Sequence, residues 1–368
     1  MFDNVNSYYV FKEKEFVENY KHFESAFKNI YKNFHISYSF KTNYAPYICK
    51  LVKELGGYAE VVSSMEYSLA KKIGYDDNHI IFNGPSKQIY PNCLINVDSI
   101  NEIELTNNNK IGLRVNIDVG QGYISRFGID ELELKSAFDL ASNRIVGIHC
   151  HISQARSLKA WETRTKKMIE IADSYFDKEK IEYIDLGSGM YGKMPEQLYS
   201  QFSDVPSYEQ YAQVTARLMK DHYGENGPTL FVEPGTTLIS NYVDFICCVE
   251  NIKCIKGQTF IVVGASKHNL GEICELKNIP FSIRHKNKDC VEVKNAKIVG
   301  YTCLEHDVIV KDYSGEIGIG DELTFKNVGG YSNVMKPPFI RPNVPMYSEN
   351  GTLIKKAETD EDIFKTYE

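Results

Sequence analysis

Short β-rich segments alternate with longer amphipathic stretches between about residue 34 and residue 235. The short segments are rich in β-branched and aromatic residues, which is typical of strands. The stretches between them, such as APYICKLVKELGG (45–57) and SMEYSLAKKIG (64–74), end on glycine as helices commonly do. The eight predicted strands are residues 35–40, 58–63, 79–84, 93–98, 111–117, 144–152, 181–187 and 229–235.

Eight strands alternating with helices over about 200 residues match the number and size of a (β/α)8 barrel of the TIM type, whereas an open doubly wound sheet needs fewer strands. After residue 240 the pattern changes to closely spaced β segments, such as QTFIVVG and DVIVKDY, without helical stretches between them. We therefore predict an α/β fold with a barrel at residues 31–240 and an all-β C-terminal domain at residues 241–368.

Composition narrows the functional classes. The formal net charge is −7 and the chain shows no clustered basic segment, which argues against a nucleic-acid partner. Nine cysteines without CxxC spacing indicate reduced thiols. No signal-like N-terminus and no apolar run of about 18 residues is seen. We predict a cytoplasmic protein, without membrane contact, that acts on a small molecule.

In a barrel of this type the chemistry takes place at the C-terminal ends of the strands. The residues at these predicted ends include a lysine, a histidine, a glycine and several carboxylates, a combination that indicates a site for a phosphorylated cofactor. They are Lys41, Glu60, Asn83, Asp98, Arg114, His151, Gly187 and Glu233.

Two motifs carry a family resemblance. YSFKTN (38–43) and VEPG (232–235) resemble motifs of the fold type III decarboxylases that depend on pyridoxal 5'-phosphate, the group of diaminopimelate, ornithine and carboxynorspermidine decarboxylases that shares its barrel with alanine racemase. The resemblance implies that Lys41 carries the cofactor as a Schiff base. It also implies that Glu233 pairs with the pyridine nitrogen and that Gly235 contacts the cofactor. The arginine that follows this motif in the family is Thr236 here.

Three further motifs resemble the family's cofactor contacts. DLGSGMYG (185–192) is similar to its glycine-rich turn, GGYS (329–332) to its GAY motif and GIHCHISQ (147–154) to its GxHxHIGSQ motif. Through these likenesses His151 is expected to stack on the pyridine ring. The residues expected at the phosphate are Gly187, Ser188, Gly189, Tyr331 and, because one motif residue is missing, either Ser153 or Gln154.

The two histidines of GIHCHISQ have an alternative interpretation. His149 and His151 lie two apart on one predicted strand and could bind a metal ion, but the sequence offers no further ligands beside them. We therefore predict no metal site.

GYTCLEHDVI (300–309) resembles the family segment that a partner subunit inserts into the active site. The likeness implies that Cys303 returns a proton after CO2 loss and that Asp307 is a structural or active-site carboxylate. Leu304 stands where diamino-acid decarboxylases have Asp or Glu, with Glu305 one position later. Because neighbouring strand residues face opposite sides, Glu305 does not simply replace that acid. The predicted substrate contacts are Arg114, Glu305, Asp307 and Arg341.

The resemblance implies an enzyme that decarboxylates an amino acid, or an intermediate containing one, as a homodimer with shared active sites. Residues 1–30 are then the strand and helix that join the β domain. A racemase of the same fold is one alternative, although KTNYAP and Cys303 fit decarboxylases better. A catalytically inactive regulatory homologue is another, and the joint presence of the predicted site residues argues against it.

Overall fold

The structure is a computed structural model that describes residues 6–178, 180–276, 279–286 and 289–367. The chain divides into two compact units. The barrel unit comprises Glu18–Tyr191 and Asp204–Thr237, and the sheet unit comprises the described residues up to Val17, Gly192–Ser203 and the described residues from Leu238 onward. The domain limits predicted at residues 30 and 240 remain a proposal.

The chain begins with strand β1 (Ser7–Phe11) and helix α1 (Glu13–Lys28), after which eight parallel strands form a barrel. Around the barrel the strand order is β5, β4, β3, β2, β10, β9, β8 and β6, and pairing of β5 with β6 closes it. The strands are β2 (Phe34–Ser39), β3 (Tyr58–Val61), β4 (Ile80–Phe82), β5 (Leu94–Val97), β6 (Ile111–Asn116), β8 (Ile145–His149), β9 (Tyr183–Asp185) and β10 (Thr229–Val232), with a short β7 (Ile129–Asp130) beside β6.

Helices connect these strands. Helix α3 starts at a Ser63 cap, whose hydroxyl accepts the Glu66 N–H, and α6 starts at an equivalent Ser157 cap. The helices are α2 (Pro46–Glu54), α3 (Ser64–Lys72), α4 (Ile100–Leu105), α5 (Leu134–Ala141), α6 (Leu158–Tyr175), α7 (Glu196–Tyr199), α8 (Tyr208–Val214) and α9 (Ala216–Tyr223). Among the described residues, no helix combines the length and apolar composition needed to cross a membrane.

The barrel is filled in layers. Ile81, Val146, Tyr183 and Phe231, one from each of four strands, form a buried apolar cluster. Polar residues follow toward the C-terminal ends of the same strands, where His149, Asp185 and Glu233 are all buried. The apolar layer lies below the polar one, so the polar side chains face the C-terminal rim.

The sheet unit confirms the other part of the predicted fold class. Its strand order is β15, β14, β12, β11, β1, β17 and β18, with β16 pairing β11 and β13. The N-terminal β1 lies antiparallel to β11 and parallel to β17, so it belongs to this sheet as expected. The elements are α10 (Thr236–Ile239), β11 (Val243–Ile255), β12 (Gln258–Val263), α11 (Lys267–Leu270), β13 (Phe281–Arg284), β14 (Val291–Val299), β15 (Val308–Ile317), β16 (Glu322–Phe325), β17 (Met346–Ser348), β18 (Leu353–Lys355) and α12 (Asp360–Phe364).

Candidate active site

A cavity of about 520 Å³ opens at the C-terminal rim of the barrel. Side chains from at least five strand ends line it, which brings together residues that are up to about 190 positions apart in the sequence. The predicted site residues among its lining are Lys41, Glu60, Asn83, Arg114, His151, Ser153 and Glu233. Gln154 also lines the cavity, so both candidates for the phosphate-binding position reach it.

Lys41 lies in a short helical turn that directly follows β2. Its Nζ is 2.5 Å from Glu60 Oε2 and 3.3 Å from Ser39 Oγ. Ser39 Oγ also donates to Glu60 Oε2 at 2.5 Å. The Lys41 side chain is 30% exposed whereas that of Glu60 is 1% exposed. The buried carboxylate therefore holds the ammonium group at the cavity wall.

Asn83 connects the two buried glutamates of the site. Its Nδ2 donates to Glu60 Oε1 at 3.2 Å and, by a short hydrogen bond, to Glu233 Oε1. Its Oδ1 accepts from Asn96 Nδ2 at 2.8 Å, and Asn96 Oδ1 accepts from the Tyr183 hydroxyl at 2.5 Å. This chain fixes which way the Asn83 amide points, and so fixes both carboxylates. The sequence placed Asn83 on the rim without a role, and Asn96 was missed.

Glu233 follows β10 and is 1% exposed. Its Oε2 lies 3.3 Å from His149 Nε2 and 3.7 Å from His151 Nδ1. Burial opposes the charged form, but His149 and Lys41 together hold the pKa of Glu233 well below its usual value. Glu233 is therefore an ionised carboxylate inside the barrel.

His151 is a neutral imidazole at physiological pH. Burial lowers its pKa to about 4, although the neighbouring Glu233 partly opposes that shift. The Ser188 N–H donates to its Nδ1 at 3.1 Å, so the ring proton resides on Nε2. Of the described residues, no group of three possible metal ligands contains both His149 and His151.

We expect His151 to make stability depend on pH. The pKa of about 4 lies below the ordinary value of 6.5, so the unfolded chain binds a proton that the folded chain does not. The neutral ring makes its full contribution to the free energy of unfolding above about pH 6.5. This contribution decreases by on the order of 3 kcal/mol as the pH falls toward 4. Urea unfolding at both pH values should show a smaller loss in His151→Asn than in the wild type, while the exposed His22→Asn should behave as wild type. Equal losses in all three proteins would contradict this.

The glycine-rich turn after β9 packs tightly on the segment that follows β8. Gly187 has a φ of +63°, and an added Cβ would lie 2.3 Å from the Cys150 carbonyl oxygen. Gly189 has a φ of +98°, and its Cβ would lie 2.5 Å from the Ile152 carbonyl oxygen. Backbone conformation and close contact therefore both require glycine at these two positions.

The N–H groups of this turn are partly engaged within the protein. Gly187 N–H donates to Asp185 Oδ1 at 2.9 Å, and Ser188 N–H donates to His151. A phosphate would therefore be bound here by the Ser188 hydroxyl and the Gly189 N–H more than by the first two N–H groups of the predicted cradle, those of Gly187 and Ser188. Gly235 is buried against Thr42, whose Oγ1 lies 2.1 Å from where a Cβ would stand.

Arg164 of α6 braces this turn, and sequence reasoning missed it. The side chain is fully buried. It donates to the carbonyl oxygens of Leu186 at 2.9 Å, Ser188 at 2.7 Å and Ile152 at 2.9 Å. Its guanidinium lies 4.1 Å from the Trp161 ring centroid. An arginine three residues after the only tryptophan, on the buried face of an amphipathic helix, was the available signal.

Removal of this brace should loosen the turn. Arg164→Ala leaves three carbonyl oxygens, two of them in buried hydrogen bonds, without this donor, so we expect about 3 kcal/mol of lost stability. Cofactor affinity should decrease as well, because the turn loses its fixed shape. Denaturant unfolding and a cofactor titration measure both effects, with the exposed Arg217→Ala as the matched control. Unchanged stability and affinity in Arg164→Ala would show that the turn holds its shape without the arginine.

Arg114 and Arg126 share one aromatic surface at the cavity wall. Their guanidinium carbons lie 4.7 Å and 4.2 Å from the Phe127 ring centroid. Arg114 also forms an ion pair with Asp98 at 3.3 Å, and both of these side chains are 9% exposed. Asp98 thus compensates the Arg114 charge within the protein, and the Arg114 side chain still lines the cavity.

The remaining predicted residues belong to the sheet unit. Cys303 and Glu305 are exposed, and Tyr331 is partly buried with a φ of +54°. Asp307 is buried, and its Oδ2 accepts from Thr302 Oγ1 at 2.6 Å. Its Oδ1 accepts from the backbone N–H of residue 267 at 2.9 Å. These bonds favour the structural one of the two roles predicted for Asp307.

Arg341 is engaged in the same unit. Its guanidinium makes two hydrogen bonds to the Glu250 carboxylate, at 2.7 and 2.9 Å, and lies 4.2 Å from the Tyr301 ring centroid. The Arg341 guanidinium, which was predicted to bind substrate, is thus paired with Glu250 in this structure. Its role in substrate binding remains a prediction.

His285, Cys290 and Asp321 form a polar cluster at strand ends of the sheet unit. His285 Nδ1 is 2.7 Å from Asp321 Oδ2 and 3.4 Å from Cys290 Sγ. The Asp321 carboxylate also accepts the N–H of Gly318 at 2.8 Å and of Lys286 at 3.1 Å. The Asp321 carboxylate thus joins two backbone N–H groups and the His285 ring, and the cluster closes the turn before β16.

A closed parallel barrel with a lysine, two buried glutamates and a glycine-rich turn around one cavity defines a class of cofactor-dependent barrel enzymes. The family model described as "Pyridoxal-dependent decarboxylase, pyridoxal binding domain" matches residues 13–240, and that described as "Pyridoxal-dependent decarboxylase, C-terminal sheet domain" matches residues 236–329. The chain belongs to the pyridoxal-dependent decarboxylase family.

Individual relatives agree with this assignment. The diaminopimelate decarboxylase of Aquifex aeolicus is 29% identical, over 95% of this chain and 89% of that protein. The enzyme of the same name from Methanocaldococcus jannaschii is 26% identical, over 96% of this chain and 89% of that protein. The crystal structure of diaminopimelate decarboxylase from M. jannaschii in co-complex with L-lysine has a TM-score of 0.82 and 25% identity, covering 97% of this chain and 91% of that one. The chain is an amino-acid decarboxylase that depends on pyridoxal phosphate, which confirms the predicted fold class, cofactor and activity.

Proposed function

We propose that the barrel cavity is where the amino acid loses CO2 and that Lys41 holds pyridoxal phosphate covalently. The carrying observation is that Lys41 Nζ stands at the cavity wall, 2.5 Å from buried Glu60, while the ionised Glu233 lies in the lining of the same cavity. An amine, an anionic group and a glycine-rich turn are the three partners that the aldehyde, the ring nitrogen and the phosphate of this cofactor require.

The donor set of this chain fits the cofactor. Glu233 is charged and oriented by Asn83 and His149, so it would keep a proton on the ring nitrogen. His151 would pack its neutral ring against the pyridine face. When bound, pyridoxal phosphate accepts the electrons left behind by the departing CO2. The phosphate contacts that we propose are Ser153 or Gln154, the Ser188 hydroxyl, Gly189, Gly235 and Tyr331, while Gly187 shapes the turn that carries Ser188 and Gly189.

We further propose a homodimer in which Cys303 of one subunit returns the proton at the reacting carbon of the other. Its exposed position on the sheet unit supports this role, because an exposed thiol is accessible to a second chain. Glu305 and Arg341 are the proposed substrate contacts beside it, and Arg114 is the proposed contact from the barrel. A cytoplasmic location is also proposed, since all nine cysteines, each in the described part of the chain, are free thiols.

Mixed dimers test the shared site. Lys41→Ala and Cys303→Ala should each have little activity alone. Dimers that exchange at random would contain one intact site in every second molecule, so mixing equal amounts should restore about a quarter of wild-type activity. The measurement is CO2 release after mixing, with subunit exchange verified by tagged chains. If mixed dimers form and activity does not recover, each site is built within one subunit.

Two observations bear on the substrate: the names of the relatives, and Leu304 at a position where related enzymes have an acid. The relatives are named diaminopimelate decarboxylases, and diaminopimelate is therefore the reference substrate. Leu304 is apolar where the family's diamino-acid enzymes hold a distal amine with an acid. We propose that the far end of the preferred substrate is apolar, bulky or joined to a larger group. The preferred compound should be turned over faster than free diaminopimelate, lysine or ornithine.

One experiment tests activity against both alternatives. Purified protein should be yellow with bound cofactor and should release CO2 from a member of an amino-acid panel, without change of optical rotation in recovered substrate. Racemisation without CO2 release would identify a racemase. A colourless protein that does not bind added cofactor, but forms mixed dimers with an active decarboxylase, would identify a regulatory homologue.

A further inference from the structure

Besides Glu60 and Glu233, the barrel interior contains a further buried carboxyl group next to Glu233, and the proposed function assigns it no role. Asp185, at the end of β9, is fully buried and pairs in register with His149 at the end of β8. Residues paired in parallel strands project to the same side of the sheet, here into the barrel. One carboxylate oxygen each of Asp185 and Glu233 and one ring nitrogen of His149 all lie within 4.8 Å of one another.

Charge in this interior is not balanced if every carboxyl group is ionised. Glu60 is paired with Lys41, and Arg114 is paired with Asp98, so neither cation compensates Asp185. Asp185 Oδ1 accepts the Gly187 N–H at 2.9 Å. Asp185 Oδ2 has no hydrogen-bond partner among the described residues. An ionised oxygen without a donor, buried next to a second carboxylate, is strongly unfavourable, whereas a protonated one is not.

His149 does not supply a hydrogen-bond donor to Asp185 Oδ2. Its Nε2 is directed at Glu233, and its Nδ1 has no partner within the described part of the chain. A bond from Nδ1 to Asp185 is therefore absent although the two residues are strand neighbours. Burial and, next to it, the Glu233 charge raise the pKa of Asp185 well above its usual value, in the direction that the geometry requires.

We propose that Asp185 is a neutral carboxylic acid that shares its proton with Glu233 and is a positioning residue for it. Three donors then surround Glu233, namely the Asn83 amide, the His149 Nε2–H and the Asp185 hydroxyl. These donors fix the orientation of the Glu233 carboxylate. Asp185 and Glu233 together then carry one negative charge. A single negative charge matches a single protonated ring nitrogen, and a second one would leave an uncompensated anion when the cofactor is bound. This inference rests on the proposed role of Glu233.

The protonation state can be measured without cofactor. The infrared spectrum of the cofactor-free protein at pH 7 should contain the C=O stretch of a buried carboxylic acid, shifted in D2O and missing in Asp185→Asn. Asp139→Asn, at an exposed position, should leave the band in place. If no carboxylic acid band disappears in Asp185→Asn, the proposal is overturned, while the proposed function of the cavity is unaffected.

Stability against pH is a second readout. A carboxyl group that stays protonated in the folded chain but ionises in the unfolded chain lowers stability as the pH rises above about 4. Asp185→Asn removes this penalty, so its melting temperature relative to wild type should increase between pH 5 and pH 8. A constant difference would contradict the proposal. So would a stoichiometric divalent cation in the purified wild type that is lost in the variant, because a metal would ionise Asp185.

Kinetics distinguish positioning from a merely structural role. Asp185→Asn keeps a donor of similar shape and should retain kcat within about fivefold, whereas Asp185→Leu lacks the donor and should lose roughly tenfold or more in kcat with KM nearly unchanged. Equal loss in both variants would show that ionised Asp185 is required. If Asp185→Leu does not fold, the infrared band and the Asp185→Asn comparison still decide the question. Absence of activity in every protein, with the infrared band present, would count against the proposed function alone.

Discussion

Replacement of Lys41 by alanine should reduce decarboxylation by about a thousandfold or more and remove the yellow colour of the protein. Lys41 Nζ is the amine at the cavity wall, held 2.5 Å from Glu60 Oε2 and 3.3 Å from Ser39 Oγ. Alanine at this position leaves no amine to join the cofactor aldehyde and leaves Glu60 buried without its cation. The loss should therefore appear in kcat, in the absorbance of the purified protein and in stability.

The covalent link itself can be mapped. Borohydride reduction of the wild type followed by peptide mapping should place a pyridoxyl group on the peptide that contains Lys41. Lys110→Ala is the matched control, because Lys110 is also a lysine paired with a glutamate, 2.6 Å from Glu182, but is exposed and not part of the cavity. The control should keep colour, adduct and activity. An adduct on another lysine in the wild type would remove the basis of the proposed function.

The sequence predicted which residues meet at the rim because the position of a residue at a strand end depends only on local pattern and on barrel topology. Lys41, Glu60 and Glu233 follow or end short apolar strands, and parallel strands of a barrel bring their carboxyl ends together. Eight strands were predicted and eight close the barrel. The cavity could therefore be anticipated from periodicity, even though its residues are far apart along the chain.

Partners inside the site could not be predicted in the same way. Arg164 binds carbonyl oxygens 12, 22 and 24 positions away, and nothing local to the helix specifies them. The histidine motif shows a second limit. The strand was predicted to extend to residue 152, which would place His149 and His151 on one face, but β8 ends at His149. The chain turns after the strand, and the His151 ring accepts the Ser188 N–H, although both histidine rings still lie within 3.7 Å of Glu233 Oε2.

Glu233→Gln should lower kcat by about a hundredfold to a thousandfold while KM changes little. The amide has the size of the carboxylate and can still accept from Asn83, so packing is largely kept. It carries no charge, however, and the ring nitrogen of the cofactor would lose the anion that stabilises its protonated form. The missing interaction is one that strengthens as electrons move onto the ring, which is why kcat carries the effect.

The control for this variant is a second buried carboxyl group outside the proposed machinery. Glu66 is 4% exposed, accepts the Val62 N–H at 2.8 Å, and burial raises its pKa to about 7. Glu66→Gln removes the same group from the same barrel and should keep kcat within a few-fold. Steady-state CO2 release and the bound-cofactor spectrum should be recorded for both variants. Equal effects in Glu233→Gln and Glu66→Gln would mean that barrel stability, and not charge at the ring nitrogen, governs the rate.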